Sequence, residues 1–221
     1  MNAGRAIVFD FDGVIVDSEP VHEDATRRAA RALGLDFPHE KYVEEYIGYD
    51  DRDLFRAIAR DHGRELSASE LTELRRAKEG FVQEMLHAGM APAWPGSVEL
   101  VRRAKEAGPI AVCSGALRAE IEPVLSRLAI RELFGVIVSA DDVSKSKPHP
   151  ACYELTARKL GISAAACVAI EDTPTGATAA RDAGMRVVGV CHAFKPEAFR
   201  GIAHATFAST SILSVAKLLS V

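Results

Sequence analysis

Asp10 and Asp12 end an apolar run, Ala6-Ile7-Val8-Phe9-Asp10-Phe11-Asp12-Gly13-Val14. Side chains alternate along a strand, so residues two apart share a face. Both carboxylates are therefore expected to emerge together where the chain leaves a sheet, with Gly13 allowing a sharp exit. Two carboxylates this close repel each other unless a cation lies between them or one is protonated. The first solution points to a magnesium site and the second to an acid beside a nucleophile. A polar turn, with one Asp capping the next element, is the alternative reading of the pair alone.

Further polar groups follow other apolar runs. Ile110–Cys113 is followed by Ser114-Gly115, where a hydroxyl and turn N–H groups suit a phosphoryl oxygen. Ser114 could equally cap the helix that follows. Val136–Ser139 leads into a polar loop holding Lys145 and Lys147-Pro148. Pro148 restricts Lys147 to an extended conformation, which favours it as a fixed charge near the opening carboxylates. Lys145 reads as a solvated charge. Ala166–Ile170 ends in Glu171-Asp172-Thr173-Pro174, a second acidic pair able to add hard oxygen ligands for magnesium, although one of the two could instead only cap the helix that opens at Pro174. Asp172 is the better direct ligand, and Glu171 either binds through water or orients Lys147. Cys113 has no nearby His and falls in an apolar strand, so it is not read as a nucleophile.

These groups need a scaffold that brings strand ends together. From residue 95 onward apolar strands alternate with amphipathic helices: helix 97–107, strand 110–113, a helix through Leu117–Leu128, strand 136–139, a helix from Pro150, strand 166–170, helix 174–184, strand 186–190 and a closing helix near 212–219. This pattern predicts an α/β fold, a Rossmann-like parallel sheet with helices on both faces. Ligands of such sheets bind beyond the C-terminal strand ends. Between Val14 and about Met90 the pattern is instead helical, marked by Val21/Ala25/Ala29, Tyr42/Val43/Tyr46/Ile47, Leu54/Ile58 after an Asp50 cap, and Leu71/Leu74/Phe81/Met85 after a Ser67/Glu70 capping box. The expected organisation is a core domain, 1–15 and 93–221, with an all-helical cap domain, 16–92, inserted after the first strand.

The chain has 221 residues, 48% of them hydrophobic, and a formal net charge of -4. That charge offers no general attraction to nucleic acid or an anionic membrane. No apolar stretch reaches membrane-span length, no signal-peptide core is evident, and the four cysteines form no Cys-x-x-Cys pair. A reduced, cytoplasmic setting is expected.

Together, Asp10-Phe11-Asp12-Gly13-Val14, Ser114, Lys147-Pro148 and Glu171-Asp172 resemble the four motifs of the haloacid dehalogenase superfamily. The helical insertion resembles the C1 cap of its phosphoglycolate phosphatase and beta-phosphoglucomutase-like branch, and Asp17-Ser18-Glu19-Pro20 with His22 resembles the cap entry of sugar-phosphatase members. The resemblance implies Asp10 as nucleophile, Asp12 as general acid and base, and Ser114, Gly115 and Lys147 on the phosphoryl group. It implies Mg2+ held by Asp10, Asp12, Asp172 and Glu171, with Glu19, His22 and Arg52 as candidate substrate contacts. Arg75, Lys78, Tyr46 and Tyr49 are further cap residues whose solvated or packed roles are the simpler expectation. The implied enzyme is a Mg-dependent phosphatase of a small phosphorylated metabolite, a monomer or else a dimer. A phosphomutase is the alternative, weakened because Gly48-Tyr49-Asp50-Asp51-Arg52 places an acid where the mutase arginine would fall. A dehalogenase would not need Asp12, a phosphonate hydrolase would replace it, and a non-catalytic binding protein would have no use for the whole set.

Overall fold

The computed structural model describes residues 4–221, so the first three residues of the expected 1–15 segment lie outside it. Strand β1 (Ala6–Phe9) is followed by helices α1 (Glu19–Arg31), α2 (His39–Lys41), α3 (Asp51–Asp61) and α4 (Ala68–His87). Then come α5 (Ser97–Ala107), β2 (Ile110–Cys113), α6 (Arg118–Arg127), β3 (Val136–Val138), α7 (Ala151–Leu160), β4 (Cys167–Glu171), α8 (Pro174–Asp182), β5 (Arg186–Val190), β6 (Ala205–Phe207) and α9 (Val215–Ser220). The chain divides into two compact units, Met1–Asp17 with Pro92–Val221, and Ser18–Ala91.

The first unit carries one sheet in the order β3-β2-β1-β4-β5-β6, every pairing parallel. Strand alternation sorts its residues. Ala6, Val8, Ala111, Cys113, Val138, Cys167, Ala169 and Val187 share a core with Cys152, Tyr153 and Ala157 of α7 and Ala177, Ala179 and Ala180 of α8. The intervening Ile7, Phe9, Ile110, Val112, Val168 and Ile170 face the other way and are equally buried, as a sheet covered on both faces requires. The order of strands reverses at β1, whose neighbours are β2 on one side and β4 on the other. The crevice at the C-terminal ends of β1 and β4 is thus the place a ligand is expected.

The second unit is helical, with its own core of Leu54, Phe55, Ile58, Leu71, Leu74, Tyr42 and Tyr46. Asp50 caps α3 by accepting from the N–H groups of Arg52 and Asp53 at 2.8 and 3.0 Å. Ser67 and Glu70 form the capping box of α4. Its second helical segment departs from the expected pattern. Tyr42–Tyr46 is a π-helical turn, closed by the Ile47 N–H to the Tyr42 carbonyl at 2.9 Å. The wider turn keeps Tyr42 and Tyr46 inside while Val43, expected on the inner face, is 46% exposed.

Within the sheet unit three expectations are corrected. The fourth strand runs one residue later than expected, so Glu171 belongs to it and is fully buried. The sixth strand, Ala205–Phe207, was not expected; three edge residues are too short to show alternation. The closing helix is broken: a 3-10 turn, Thr210–Ile212, precedes α9, whose first turn Ser214 caps through the Lys217 N–H at 3.3 Å.

Candidate active site

β1 hands Asp10 directly into the crevice. Its register continues that of Phe9 with Ile170, and the Asp10 N–H donates to the Ile170 carbonyl at 3.0 Å. Asp10 thereby lies beside Glu171, both on the strand parity that faces α7. The chain then turns: the Ile15 N–H reaches the Phe11 carbonyl at 2.9 Å, the Gly13 N–H reaches the Val16 carbonyl at 2.8 Å, and Gly13 takes φ +70°. A Cβ at Gly13 would lie 1.8 Å from Asp172 Oδ2, so only glycine lets the turn pack on that carboxylate.

Lys147 enters from the loop ahead of α7. Its Nζ is 3.1 Å from Asp10 Oδ1 and 2.6 Å from Glu171 Oε1, and it donates to the Cys113 carbonyl at 3.2 Å. The Lys147–Pro148 peptide bond is cis. Tyr153, in the first turn of α7, donates from its hydroxyl to the same Glu171 oxygen at 2.6 Å, and its ring lies 5.0 Å from the Lys147 ammonium. Thr173 adds a 3.3 Å hydroxyl contact to Glu171 Oε2 and caps α8 through the Gly176 N–H at 3.0 Å. Gly176 is restricted by space alone, since a Cβ there would meet the Glu171 carboxylate at 2.0 Å.

One ligand atom each from Asp10, Glu171 and Asp172 lies within 4.8 Å of the others, and all three residues are buried. Lys147 supplies one positive charge to these three carboxylates. Burial, then Glu171, push the Asp10 carboxyl well above its ordinary value despite Lys147. Burial and the Asp10 charge do the same to Asp172. Burial alone would lower the Lys147 ammonium, but Asp10 and Glu171 outweigh it and hold it well above the usual lysine range. Excess buried negative charge of this kind is relieved by protons or by a cation. A hard oxygen donor set with surplus negative charge fits a divalent cation of the magnesium type.

The Asp12 carboxylate is not one of the three clustered groups, although its charge reaches both Asp10 and Asp172. Ser114 is buried at the end of β2, where its N–H donates to the Val138 carbonyl at 2.9 Å and its Oγ accepts from the Ala116 N–H at 3.0 Å. The cap of α6 is Leu117 rather than Ser114. Gly115 is exposed beside it. Glu19, His22 and Arg52 belong to the helical unit. There Glu19 accepts from the Tyr42 hydroxyl at 2.6 Å, the His22 carbonyl accepts from Thr26 Oγ1 at 2.7 Å, and Arg52 is exposed. Lys78 is buried in an ion pair with Asp51 of the same unit. Tyr46 packs inside that unit, while Tyr49 is 49% exposed. Cys113 is buried, and burial pushes its thiol well up. Sequence reasoning missed Tyr153, Thr173 and Gly176. Tyr153 carried a faint signal, a phenol on the inward face of a helix, which when buried needs a partner.

The comparisons agree with this geometry. The family model of haloacid dehalogenase-like hydrolases matches residues 5–184. Protein CbbY of Rhodobacter capsulatus is 32% identical over 197 residues, spanning 83% of this chain and 84% of that protein. Fructose-1-phosphate phosphatase YqaB of Escherichia coli K12 is 33% identical over 186 residues, spanning 83% and 95%. The crystal structure of CbbY from Rhodobacter sphaeroides in complex with phosphate superposes with a TM-score of 0.82 at 28% identity, covering 97% of this chain and 99% of that one. With its motif residues gathered at the reversal of a parallel sheet, the chain belongs to the haloacid dehalogenase-like hydrolases.

Proposed function

We propose that the protein is a Mg2+-dependent phosphatase that releases phosphate from a small phosphorylated metabolite, of the sugar phosphate or phosphoglycolate type, through an aspartyl-phosphate on Asp10. The observation that carries this reading is the buried Asp10–Lys147–Glu171 chain of ion pairs, at 3.1 and 2.6 Å, beside Asp172. It offers a nucleophile, a fixed cation and surplus carboxylate oxygens in one crevice. The relative named as a fructose-1-phosphate phosphatase supports a sugar phosphate substrate.

In this mechanism an Asp10 oxygen attacks phosphorus and the bond to the leaving oxygen breaks. Asp12 donates a proton to that oxygen, then accepts one from the water that attacks the aspartyl-phosphate. Lys147 and the Ser114 hydroxyl hold the phosphoryl oxygens, assisted by the Gly115 N–H. The Ser114 oxygen already accepts from Ala116, leaving its hydrogen to donate. Bound Mg2+ would offset the repulsion between the Asp10 carboxylate and a dianionic phosphate, and Asp10, the Asp12 main-chain carbonyl and Asp172 would hold it. The bonds that Glu171 makes to Lys147 and Tyr153 support an orienting role rather than direct ligation. Glu19, His22 and Arg52 are proposed as contacts for the rest of the substrate.

The test is phosphate release from a panel of metabolites, in Mg2+, in EDTA and after Mg2+ is restored. Release that EDTA abolishes and Mg2+ restores is expected. Failure of every phosphate monoester to react overturns the reading, and hexose 1-phosphates that isomerise without net phosphate release would replace it with a mutase.

A further inference from the structure

Trp94, His192 and Thr210 have no role in the reaction above, yet they meet on the turn that follows Asp10 and Asp12. His192 lies two residues beyond β5, and its Nδ1 is 2.6 Å from the Gly13 carbonyl oxygen. A carbonyl only accepts, so Nδ1 carries the proton. On the other side of the ring, Nε2 lies 3.3 Å from the Thr210 main-chain nitrogen. That N–H only donates, so Nε2 presents its lone pair. A neutral imidazole in one tautomer satisfies both partners, which fixes the ring's orientation.

The ring is held on its face as well. Trp94 stacks on it with centroids 3.8 Å apart and planes 15° from parallel. Thr210 is buried, and its hydroxyl donates to the Pro95 carbonyl at 3.1 Å. Residues at 94–95 and at 210 therefore brace an imidazole aimed at Gly13. The Gly13 backbone in turn presses on Asp172, where a Cβ would approach Oδ2 to 1.8 Å, and it directly follows Asp12.

We propose that His192 is a positioning residue: its Nδ1–H clamps the Gly13 carbonyl and so sets Asp12 and Asp172 relative to Asp10. The proposal rests on the phosphatase reading for its kinetic consequence but not for its tautomer. A displacement of about 1 Å in such a turn can cost on the order of 100-fold in rate without changing ground-state binding much.

Three variants separate the clamp from simple packing. His192→Phe keeps an aromatic ring against Trp94 and removes both hydrogen bonds. His192→Gln places its amide near the Nε2 position, whereas His192→Asn places an N–H near Nδ1. Phosphate release in saturating Mg2+ should show kcat down about 10- to 100-fold in His192→Phe and His192→Gln, with KM within about threefold. His192→Asn should recover most of kcat. Long-range 1H–15N spectra of the wild-type ring, assigned by their loss in His192→Asn, should place the proton on Nδ1. Unchanged kcat in His192→Phe overturns the proposal, as does a kcat loss across the three variants that merely tracks their thermal midpoints. A ring protonated on Nε2 overturns it independently. If the wild type releases no phosphate at all, the phosphatase reading fails, and the spectrum still decides the clamp.

Discussion

Asp10 lies within ion-pair distance of Lys147 and in register with a second buried acid, and the proposed mechanism relies on Lys147 and a bound cation to keep it ionised as the nucleophile. Asp10→Asn is close to isosteric, keeps an acceptor for the Phe11 N–H that now reaches Oδ1 at 2.8 Å, and removes the nucleophilic oxygen's charge. Phosphate release should fall by on the order of 1000-fold or more, while far-UV circular dichroism stays that of the wild type. Turnover within about tenfold of wild type would exclude Asp10 as the nucleophile. Asp10, Asp12, Ser114 and Asp172 were legible as candidates because each lies just past an apolar run, which announces where a strand stops, and Lys147 because Pro148 restricts its backbone. Tyr153 and Thr173 were not, because their importance lies in touching Glu171, and neither residue type says so on its own.

Elements act on the site through close approach. In α8, Gly176→Ala would drive a methyl into the Glu171 carboxylate. It should cost about 1–3 kcal/mol of stability and, by shifting Glu171 and with it Lys147, about 100-fold in phosphate release. Gly80→Ala, in α4 with nothing near the added methyl, should instead stabilise by about 0.5–1 kcal/mol; chemical denaturation of the pair reads both signs. The loop carrying Lys147 begins at Asp142. Its carboxylate accepts from the Ser139 N–H and hydroxyl, each at 2.9 Å, from Arg118 at 2.6 Å and from Lys159 at 2.9 Å. Burial pushes this carboxyl up, but those donors outweigh it and hold it well below the usual range. A depressed carboxyl stabilises the fold fully above its unfolded value, near pH 4, and that contribution is lost as pH falls through the folded value. Asp142→Asn should therefore cost about 1–2 kcal/mol at pH 7, and its deficit should shrink below about pH 4. A deficit independent of pH would mean that charge has no part in it. The edge strand β6 and the π-helical turn escaped for one cause: they are too short or too irregular to impose a period on their residues.

At the scale of the whole molecule, the insertion leaves and rejoins the sheet unit at adjacent points. The Asp17 N–H donates to the Pro92 carbonyl at 2.8 Å, the Trp94 N–H to the Ile15 carbonyl at 3.0 Å, and Val16 bridges Ala93 antiparallel. Each unit also holds its own buried apolar core. Excising 18–91 and joining Asp17 to Pro92 through a short glycine linker should leave a cooperatively folding sheet unit, read by calorimetry and amide exchange. A molten product without a thermal transition would show that the sheet unit needs the insertion to fold. Among the described residues no helix is long and apolar enough to cross a membrane, in keeping with the absence of any such run in the sequence.

The sequence by itself determined the architecture of alternating strands and helices, the helical insertion and the candidate side chains for chemistry, because period-two and helical periodicities and strand-end polarity are local properties. Only the tertiary structure decided which of those groups meet. Lys147 bridges to Glu171, 24 residues on, and His192 reaches Gly13 across 179 residues. Such contacts depend on strand order and register, set by the packing of distant segments, and a local pattern records neither.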